Sequence, residues 1–282
     1  MDEQPVKQAF GSPGGKSYLA PRIVDMIPPH RTYVEPFAGG AAVFFRKARS
    51  EKEVLNDKDS EIAFAFRFLR DMTPEQYERL KKREWTHRES IFRKLRQSNP
   101  TDDGGRFYKF YYLKKASFIS GSSSYNHHQD GTVTGVDHLW KVRDRLRRSA
   151  IHNTDAAGLI RRYDSPRTFF YLDPPYPQRA FVGAKEDYTS EDLAVLLGRV
   201  KGMKGKAMIS LGTEHTRLLP RQLCVRRVKV ARNMQRRGMW NPGYQFEIVA
   251  TNYNPDKVLR MRRRDGYRRR SAAPSGLAGM KG

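Results

Sequence analysis

Cysteine is almost absent from this chain of 282 residues, which contains only Cys224. One cysteine can form no internal disulfide and no multi-cysteine zinc site, so both are excluded as sources of stability. Long apolar runs are also absent, because no stretch approaches the roughly 20 apolar residues that a membrane-spanning helix needs. The first ten residues, MDEQPVKQAF, begin acidic and contain no apolar run, so we expect no secretory signal. These absences predict a protein of the reducing cytoplasm.

Acidic residues are scarce relative to basic ones. The chain has 30 Asp and Glu against 54 Lys and Arg, which gives a formal net charge of +24, and its isoelectric point is about 10.3. The excess is clustered rather than spread, and this pattern favours nucleic acid as a partner over a charge that serves only solubility. Hydrophobic residues make up 38%, enough for a packed core, so disorder of the whole chain is excluded.

Short hydrophobic segments alternate with amphipathic ones along most of the chain. This alternation predicts a mostly parallel sheet covered on both faces, followed by an antiparallel hairpin. Strands are expected at 32–35, 53–56, 150–153, 168–172, 206–210, 223–231 and 245–252, with a basic loop between the last two. Helices are expected at 16–26, 41–47, 106–117, 138–148, 156–162 and 189–200, and helical periodicity over 60–99 is broken at Thr73-Pro74. After Pro255 the chain has seven arginines between Arg260 and Arg270 and is predicted to be disordered.

A glycine-rich turn connects the first predicted strand to the next helix. The strand leads into Pro36-Phe37-Ala38-Gly39-Gly40, where glycines let a ligand approach the backbone at the carboxyl end of a parallel sheet. Glycines that merely turn the chain are the alternative. Asp57 ends the second strand, 18 residues after Gly39. A carboxylate there can accept both hydroxyls of a ribose, or it can cap the following helix.

A sharper feature follows the hydrophobic strand at 168–172. Asp173-Pro174-Pro175-Tyr176 combines a carboxylate, a carbonyl held by rigid prolines and an aromatic ring within four residues. The two acceptors can hold both hydrogens of an amino group while the ring stacks on the planar base that carries it. A proline-rich turn that only ends a buried strand is the weaker alternative.

Together these features resemble the Dam-type, D12 class of DNA adenine-N6 methyltransferases. The resemblance covers about residues 10–255 and rests on four motifs in one order: Gly11 to Lys16, Tyr33 to Gly40, Leu55-Asn56-Asp57, and Asp173 to Tyr176. This order, with a target-reading insert before the last motif, is typical of the α group of the family. The resemblance implies a class I, Rossmann-like methyltransferase fold, S-adenosylmethionine as methyl donor and double-stranded DNA as substrate.

The motifs also imply the residues of the site. Asp173, Pro174, Pro175 and Tyr176 are implied as catalytic, with the adenine flipped out of the duplex against Tyr176. Lys16 is implied to contact the carboxylate of the methyl donor, and Asp57 its ribose. The full set of expected cofactor-binding residues is Ser12, Lys16, Glu35, Pro36, Phe37, Gly39, Asp57, Asp155 and Asp173. No metal is expected, since the histidines and the cysteine offer no zinc spacing.

DNA contacts are expected from the polar loop of the insert, the basic helix near 141–148 and the stretch 221–237, which has seven basic residues and no acidic one. The candidates are Ser122, Ser124, Asn126, His127, His128, Lys141, Arg143, Arg147, Arg236 and Arg237. Two departures from the family pattern stand out. Ser12 replaces a frequent aromatic residue, and 117–126 lacks the Arg/Asn-rich stretch of enzymes that read GATC, so specificity for GATC is not expected.

We therefore expect a catalytic domain formed by 1–59 and 150–256, a target-recognition insert at 60–149 and a disordered basic tail at 257–282. The expected activity is site-specific methylation of adenine N6 in DNA by a monomer or weak dimer without membrane association, in the cytoplasm of a bacterial or phage-infected cell. A methyltransferase for cytosine N4 or for RNA adenine is the nearest alternative, because the Pro-Pro-Tyr site fits any planar amino group. A non-catalytic DNA-binding relative is the other alternative.

Overall fold

The computed structural model describes residues 4–117, 124–127, 135–176, 188–236 and 239–271, with backbone alone at 230–236, 239–245 and 265–271. Within these residues, seven strands form one sheet. They are β1 (Thr32–Glu35), β2 (Lys52–Asn56), β3 (Ser149–His152), β4 (Thr168–Leu172), β5 (Lys206–Gly212), β6 (Cys224–Arg236) and β7 (Met239–Thr251).

The strand order is β3-β2-β1-β4-β5-β7-β6. Strands β1 to β5 pair in parallel, and β7 is antiparallel to both β5 and β6. The predicted Rossmann-like α/β fold with a C-terminal antiparallel hairpin is thus confirmed. The chain moves outward from β1 to β3 and then returns to the other side of β1 to form β4. The carboxyl ends of β1 and β4 therefore flank the topological switch point, where open α/β sheets bind their ligands.

Helices cover both faces of the sheet. The helices of the described residues are α1 (Ala20–Met26), α2 (Ala42–Arg46), α3 (Ser60–Asp71), α4 (Pro74–Lys81), α5 (Glu89–Gln97), α6 (Asp103–Ala116), α7 (Leu139–Leu146), α8 (Ala156–Tyr163), α9 (Ser190–Gly202) and α10 (Pro255–Ser271), and a 3-10 turn spans Thr213–Leu218. Strand β4 shows why both faces are needed. Phe169 and Tyr171 pack into a core with α1, α2, α3, α6 and α7, whereas Phe170 and Leu172 pack against α8 and α9. A strand buried on both faces is nearly continuously hydrophobic, and this one is hydrophobic from Phe169 to Leu172.

The segment between β2 and β3, which contains α3 to α7, shares the first of these two cores. Phe68 on α3 stacks on Phe107 of α6 with ring centroids 4.6 Å apart, and the ring centroid of Phe10 lies 5.0 Å from that of Phe110. The predicted helix start at Thr73-Pro74 is confirmed, because Thr73 caps α4 in a reciprocal pair with Gln76. The helical pattern is also interrupted at 82–88, a break that the sequence analysis missed.

Lys16 lies outside α1, although the sequence pattern predicted a helix from 16 to 26. Residues 17–19 form turns, and α1 begins at Ala20, with Pro21 in its first turn. The Lys16 ammonium donates to Gly14 O at 2.8 Å. The early part of the predicted helix is therefore a turn that folds back on the glycine-rich segment before it.

The loop predicted between the last two strands is wrong for the described residues. Strands β6 and β7 stay paired from Cys224 opposite Thr251 to Arg236 opposite Met239. Only the last residues of β7, from Glu247 to Thr251, pair with β5, whose last residue Gly212 is opposite Glu247. The outer part of the hairpin therefore extends past the carboxyl edge of the sheet. No apolar periodicity at 232–244 marked this extension in the sequence.

The predicted disorder of the tail is also wrong as far as Ser271, where α10 ends. Val258 is buried, and Leu259 packs against the first core. Asp256 forms an ion pair with Arg226 of β6, and Tyr253 OH donates to Met26 O at 2.9 Å. These few anchors attach a helix whose composition is otherwise that of a solvated chain. Residues 272–282 lie outside the described part.

Candidate active site

The ends of three strands bring the sequence motifs together. Strand β1 lies between β2 and β4, with Val34 opposite both Val54 and Phe170. Parallel strands end at the same edge of a sheet, so the motifs that follow β1, β2 and β4 become neighbours there. Segments far apart in the chain thus meet at the switch point.

Lys16 joins the first motif to the last. Its Nζ lies 2.9 Å from Asp173 Oδ1, and the two side chains are only 7% and 21% exposed. The same Nζ lies 4.9 Å from the centroid of the Tyr176 ring. Such a charge-assisted contact, partly shielded from water, is stronger than a surface ion pair. Lys16 was expected only in the cofactor site, and the structure also brings it to the catalytic motif.

Two hydroxyl groups, those of Ser210 and Tyr171, also help to fix the Asp173 carboxylate. Ser210 Oγ on β5 donates to Asp173 Oδ1 at 2.9 Å, and Tyr171 OH bonds to the same Ser210 Oγ at 2.9 Å. Both the serine and the lysine contact Oδ1, so the carboxylate is fixed through one of its oxygens. Ser210 and Tyr171 were not singled out in the sequence, where they read as ordinary strand residues.

The Tyr176 side chain is fixed at both ends. Its hydroxyl donates to Glu247 Oε2 on β7 at 2.9 Å, and its ring packs edge-on against His215, with centroids 5.7 Å apart. Pro174 is buried, whereas Pro175 is exposed. Neither Glu247 nor His215 was among the residues predicted from the sequence. The one signal for Glu247 was an acidic residue within the otherwise apolar end of the last strand.

The turn after β1 needs its two glycines because the first motif, Gly11 to Lys16, packs directly against this turn. Gly39 has a φ of +49°, and a Cβ there would lie 2.9 Å from Ser12 Oγ. A Cβ on Gly40 would lie 2.7 Å from Phe10 O. Ser12 Oγ also accepts from Gly40 N at 3.3 Å. The glycines therefore do more than turn the chain, because they let the backbone of the first motif lie against it.

Asp57 organises the same turn. Its Oδ2 accepts from Gly39 N at 2.8 Å, and its Oδ1 accepts from Asp59 N at 2.9 Å. Asp59, not Asp57, caps α3, so the helix-cap alternative for Asp57 is wrong. Burial raises the pKa of Asp57. Each carboxylate oxygen has a second lone pair, so both can still accept from a ligand.

Asn56 connects the loops at this edge of the sheet, a role that was not predicted from the sequence. It is buried, and its Nδ2 donates to Pro36 O at 2.8 Å and to Thr154 O at 3.0 Å. Its Oδ1 accepts from Thr154 N at 3.0 Å. One amide thus ties together the loops that follow β1, β2 and β3. Its place beside Asp57 in the motif was the only sequence signal.

Glu35 is buried behind the site rather than open to it. It is 1% exposed, and its Oε1 accepts from Tyr33 OH and, at 2.8 Å, from Phe44 N. Burial raises the pKa of Glu35 to about 8. A side chain so enclosed can reach a cofactor only after rearrangement, so the structure does not support the predicted contact.

Three further residues come from loops beside the motifs. Phe37 follows β1, Asp155 follows β3, and Tyr188 precedes α9. The Phe37 and Tyr188 rings meet edge to face with centroids 6.3 Å apart. Asp155 is exposed and caps α8 by accepting from Gly158 N at 2.9 Å. Burial and the charges of Asp192 and Asp155 raise the pKa of Tyr188, which keeps its hydroxyl neutral. Pro36 is buried, with its carbonyl bonded to Asn56.

Comparison with known proteins identifies the family. A model described as D12 class N6 adenine-specific DNA methyltransferase matches residues 12–196, which contain the glycine turn, Asp57 and the motif from Asp173 to Tyr176. The chain belongs to this family. The family expected from the four motifs is confirmed, and this D12 class methyltransferase therefore acts on adenine N6 in DNA. Its class implies S-adenosylmethionine as the methyl donor.

Two curated relatives are similar to this D12 class methyltransferase. Type II methyltransferase M.CviBI of Paramecium bursaria Chlorella virus NC1A is 27% identical over 211 residues, which cover 71% of this chain and 80% of the relative. Type II methyltransferase M1.LlaDCHI of Lactococcus lactis subsp. cremoris is 25% identical over 199 residues, 63% of this chain and 68% of the relative. The solved Escherichia coli protein yhhF aligns over 88% of this chain and 92% of its own at 12% identity, and its TM-score of 0.33 supports no conclusion.

The insert of this D12 class methyltransferase holds part of the expected recognition loop. Tyr125 stacks on His87 with centroids 4.6 Å apart, and its hydroxyl lies 2.7 Å from His87 Nδ1. Asn126 N donates to Ala116 O at 2.9 Å. These contacts fix Ser124 to His127 against α5 and α6, and both end residues are exposed. Ser122 and His128 lie outside the described residues.

The basic side chains on and next to α7 differ in their surroundings: some are exposed, and others are bonded within the protein. Lys141 and Arg147 are exposed. Arg143 Nε donates to Met72 O at 2.7 Å, so this expected DNA contact is engaged within the protein. Arg147 precedes β3 and therefore lies at the amino edge of the sheet, opposite the edge of Asp173. The structure thus brings neither arginine into the candidate active site.

Arg145 of the same helix is buried. It is 3% exposed, and its Nη2 donates to Glu53 Oε1 at 2.8 Å and to Phe44 O at 2.9 Å. Lys47, also buried, pairs with the same carboxylate. The three charges link α7 to β2 and α2. No local pattern in the sequence marks Arg145 for burial, which follows from the packing of α7 against β2 and α2.

Two candidate DNA contacts remain, Arg236 and Arg237. Arg236 ends β6 opposite Met239, and Arg237 lies outside the described residues. Across the part of the chain that the structure describes, no three His, Cys, Asp or Glu side chains are grouped to hold a metal ion. No helix among those residues is long and apolar enough to cross a membrane.

Proposed function

We propose that this chain methylates adenine N6 at a defined DNA sequence, with the reaction centred on Asp173 and Tyr176. One observation carries the proposal: Lys16, Asp173 and Tyr176 lie together at the switch point. The Lys16 Nζ is 2.9 Å from Asp173 Oδ1 and 4.9 Å from the centroid of the Tyr176 ring. The Type II methyltransferases that resemble the chain support a sequence-specific enzyme of the same kind.

The carboxyl edge has the chemistry that S-adenosylmethionine needs. Lys16 supplies an ammonium for its carboxylate, and Asp57 has further lone pairs for its ribose hydroxyls. Phe37 and Tyr188 form an aromatic pair suited to its adenine ring. Gly39 and Gly40 keep the turn between these groups free of side chains. When bound, the donor supplies a methyl group activated by its sulfonium.

Asp173 and Pro174 act on the target base. The Asp173 carboxylate, fixed through Oδ1, accepts from one N6 hydrogen, and the Pro174 carbonyl accepts from the other. Two acceptors make the N6 lone pair less delocalised into the ring. With the donor bound, that lone pair would form the new bond to the methyl carbon, and the electrons of the methyl–sulfur bond would stay on sulfur. N6 then loses a proton, for which Asp173 is the adjacent acceptor.

Tyr176 provides the surface that receives the adenine after it leaves the duplex. In the structure the Lys16 ammonium lies over this ring. Lys16 therefore shifts when the base enters, and the donor carboxylate gives it a second anionic partner. Catalysis in this scheme is positioning and polarisation, without a covalent enzyme intermediate. Ser124, Asn126 and His127 read base edges, and the basic hairpin contacts phosphates.

The test is expression of the chain in cells that lack adenine methylation, followed by sequencing for N6-methyladenine. The proposal expects one methylated motif that disappears with Asp173→Ala. Matched duplex DNA and RNA oligonucleotides then separate the substrate classes. Methylation of RNA alone, or methylation at cytosine N4, would contradict the proposal.

A further inference from the structure

Tyr176 is held by a residue 71 positions further along the chain. Its hydroxyl donates to Glu247 Oε2 at 2.9 Å, and Glu247 lies opposite Gly212, the last residue of β5. Strand β5 is the neighbour of β4, which leads into Asp173. The antiparallel strand β7 therefore returns to the same edge and places a carboxylate behind the aromatic ring.

The backbone alone does not fix the ring plane. Two prolines restrict the chain up to Tyr176, but the χ1 and χ2 torsions of the tyrosine still have several wells. A second anchor at the hydroxyl selects one of them. Burial and the charges of Asp173 and Glu247 raise the pKa of Tyr176, so its hydroxyl remains a donor.

We infer that Glu247 is a positioning residue that sets the plane of the Tyr176 ring on which the target adenine stacks. The inference rests on the proposed role of Tyr176 in the preceding section. Glu247 acts through the tyrosine hydroxyl, and stacking of the base depends on the orientation of the ring face. The rival roles are direct contact between Glu247 and the adenine, and a general effect of its negative charge.

A double-mutant cycle separates these roles. We expect Glu247→Ala to lower the single-turnover rate of methyl transfer, at saturating donor and duplex, by about tenfold or more. Tyr176→Phe removes the donor of the same hydrogen bond. It should lower the rate by a factor within about threefold of the factor for Glu247→Ala. In the Tyr176→Phe background, Glu247→Ala should change the rate by less than about threefold.

A conservative variant and a matched control complete the design. Glu247→Gln keeps an oxygen that can accept the tyrosine hydroxyl, so it should retain at least about a third of the rate. Glu214→Ala removes an exposed carboxylate from the same edge, 3.8 Å from His215 Nε2. It should stay within about threefold of the unmodified chain. Donor affinity, measured by calorimetry, should be unchanged in Glu247→Ala, which shows that the site still folds.

Two results would overturn the inference: equal losses from Glu247→Ala in the unmodified chain and in the Tyr176→Phe background, or no loss in either. If Glu247→Ala does not fold, the comparison of Tyr176→Phe with Glu247→Gln still decides, because loss in Glu247→Gln without loss in Tyr176→Phe would mean that charge, not the hydroxyl bond, matters. Tyr176→Ala tests the underlying function. A normal rate in Tyr176→Ala refutes the proposed role of Tyr176 in receiving the base, whereas loss there without loss in Glu247→Ala refutes only the positioning role of Glu247.

Discussion

Lys16 and Asp173, from the first and last of the four motifs, are in direct contact: the lysine Nζ lies 2.9 Å from Asp173 Oδ1. Lys16 was expected to hold the methyl donor, and Asp173 was expected to contact both the donor and the target base. In the proposed function this contact joins the donor site to the base site, because any ligand that attracts Lys16 changes what faces Asp173.

Lys16→Ala should weaken donor binding and also slow the reaction at saturating donor. Losing a charge-assisted hydrogen bond costs about 1.5–3 kcal/mol, so we expect the donor dissociation constant to rise roughly 10- to 150-fold. The rate should fall as well, since Asp173 loses a fixed partner. Calorimetry gives the affinity and single-turnover assays give the rate. An unchanged rate at saturation would separate Lys16 from catalysis.

Asp57→Ala should affect donor affinity by a similar factor while leaving the saturated rate close to normal. Its carboxylate is bonded to Gly39 N and Asp59 N, away from Asp173. Lys58→Ala, an exposed neighbour on the same loop, serves as the matched control and should bind the donor normally. Equal affinities for the Asp57 and Lys58 variants would remove Asp57 from the donor site.

Glu35 makes stability depend on pH. Its pKa is raised from 4.5 to about 8 by burial, so between these values the folded state keeps a proton that the unfolded chain has lost. Stability therefore falls as pH rises through this window. We expect this loss to be smaller in Glu35→Gln than in the unmodified chain, by on the order of a few kcal/mol between pH 5 and pH 8. Urea denaturation at both pH values measures it, and the exposed Glu191→Gln should leave the pH dependence as it was.

Arg145→Met should destabilise the fold far more than Arg147→Met. Removing Arg145 leaves Glu53 buried with one partner fewer, and breaking a buried pair in this way costs about 3–5 kcal/mol. Arg147 is exposed, so its loss should change the free energy of unfolding by less than about 0.5 kcal/mol. Denaturant titration of the two variants is the measurement. Similar values would mean that the buried triad contributes little.

Sequence choice should depend on the insert loop and not on the basic helix α10. Alanine at Asn126 and His127 should relax the methylated motif, because these side chains can reach base edges. Alanine at the exposed Arg263 and Arg264 should weaken binding evenly and flatten its salt dependence, as loss of phosphate contacts does. Methylation patterns on one genome-sized DNA give the comparison. A changed motif in the arginine variant alone would reverse these roles.

Local patterns predicted the sheet and the motifs because their causes are local. Strand β4 is hydrophobic from Phe169 to Leu172 because both of its faces are buried, and Asp173 follows it directly. The contacts of Glu247 and Arg145 depend on register and packing between distant segments, which no local pattern encodes. The helix after Pro255 was missed for the same reason, since contacts with distant segments hold it, such as the ion pair between Asp256 and Arg226.

The central claim is that Asp173 serves the reaction rather than the fold. The most direct measurement is single-turnover methyl transfer by Asp173→Ala, with donor and DNA affinities measured on the same preparation. We expect transfer to be lost while DNA binding stays within about threefold of the unmodified chain, because this carboxylate lies at a strand end outside the core. A rate within about threefold of the unmodified chain would contradict the account, since the site at Asp173 to Tyr176 could not then be the place where adenine is methylated.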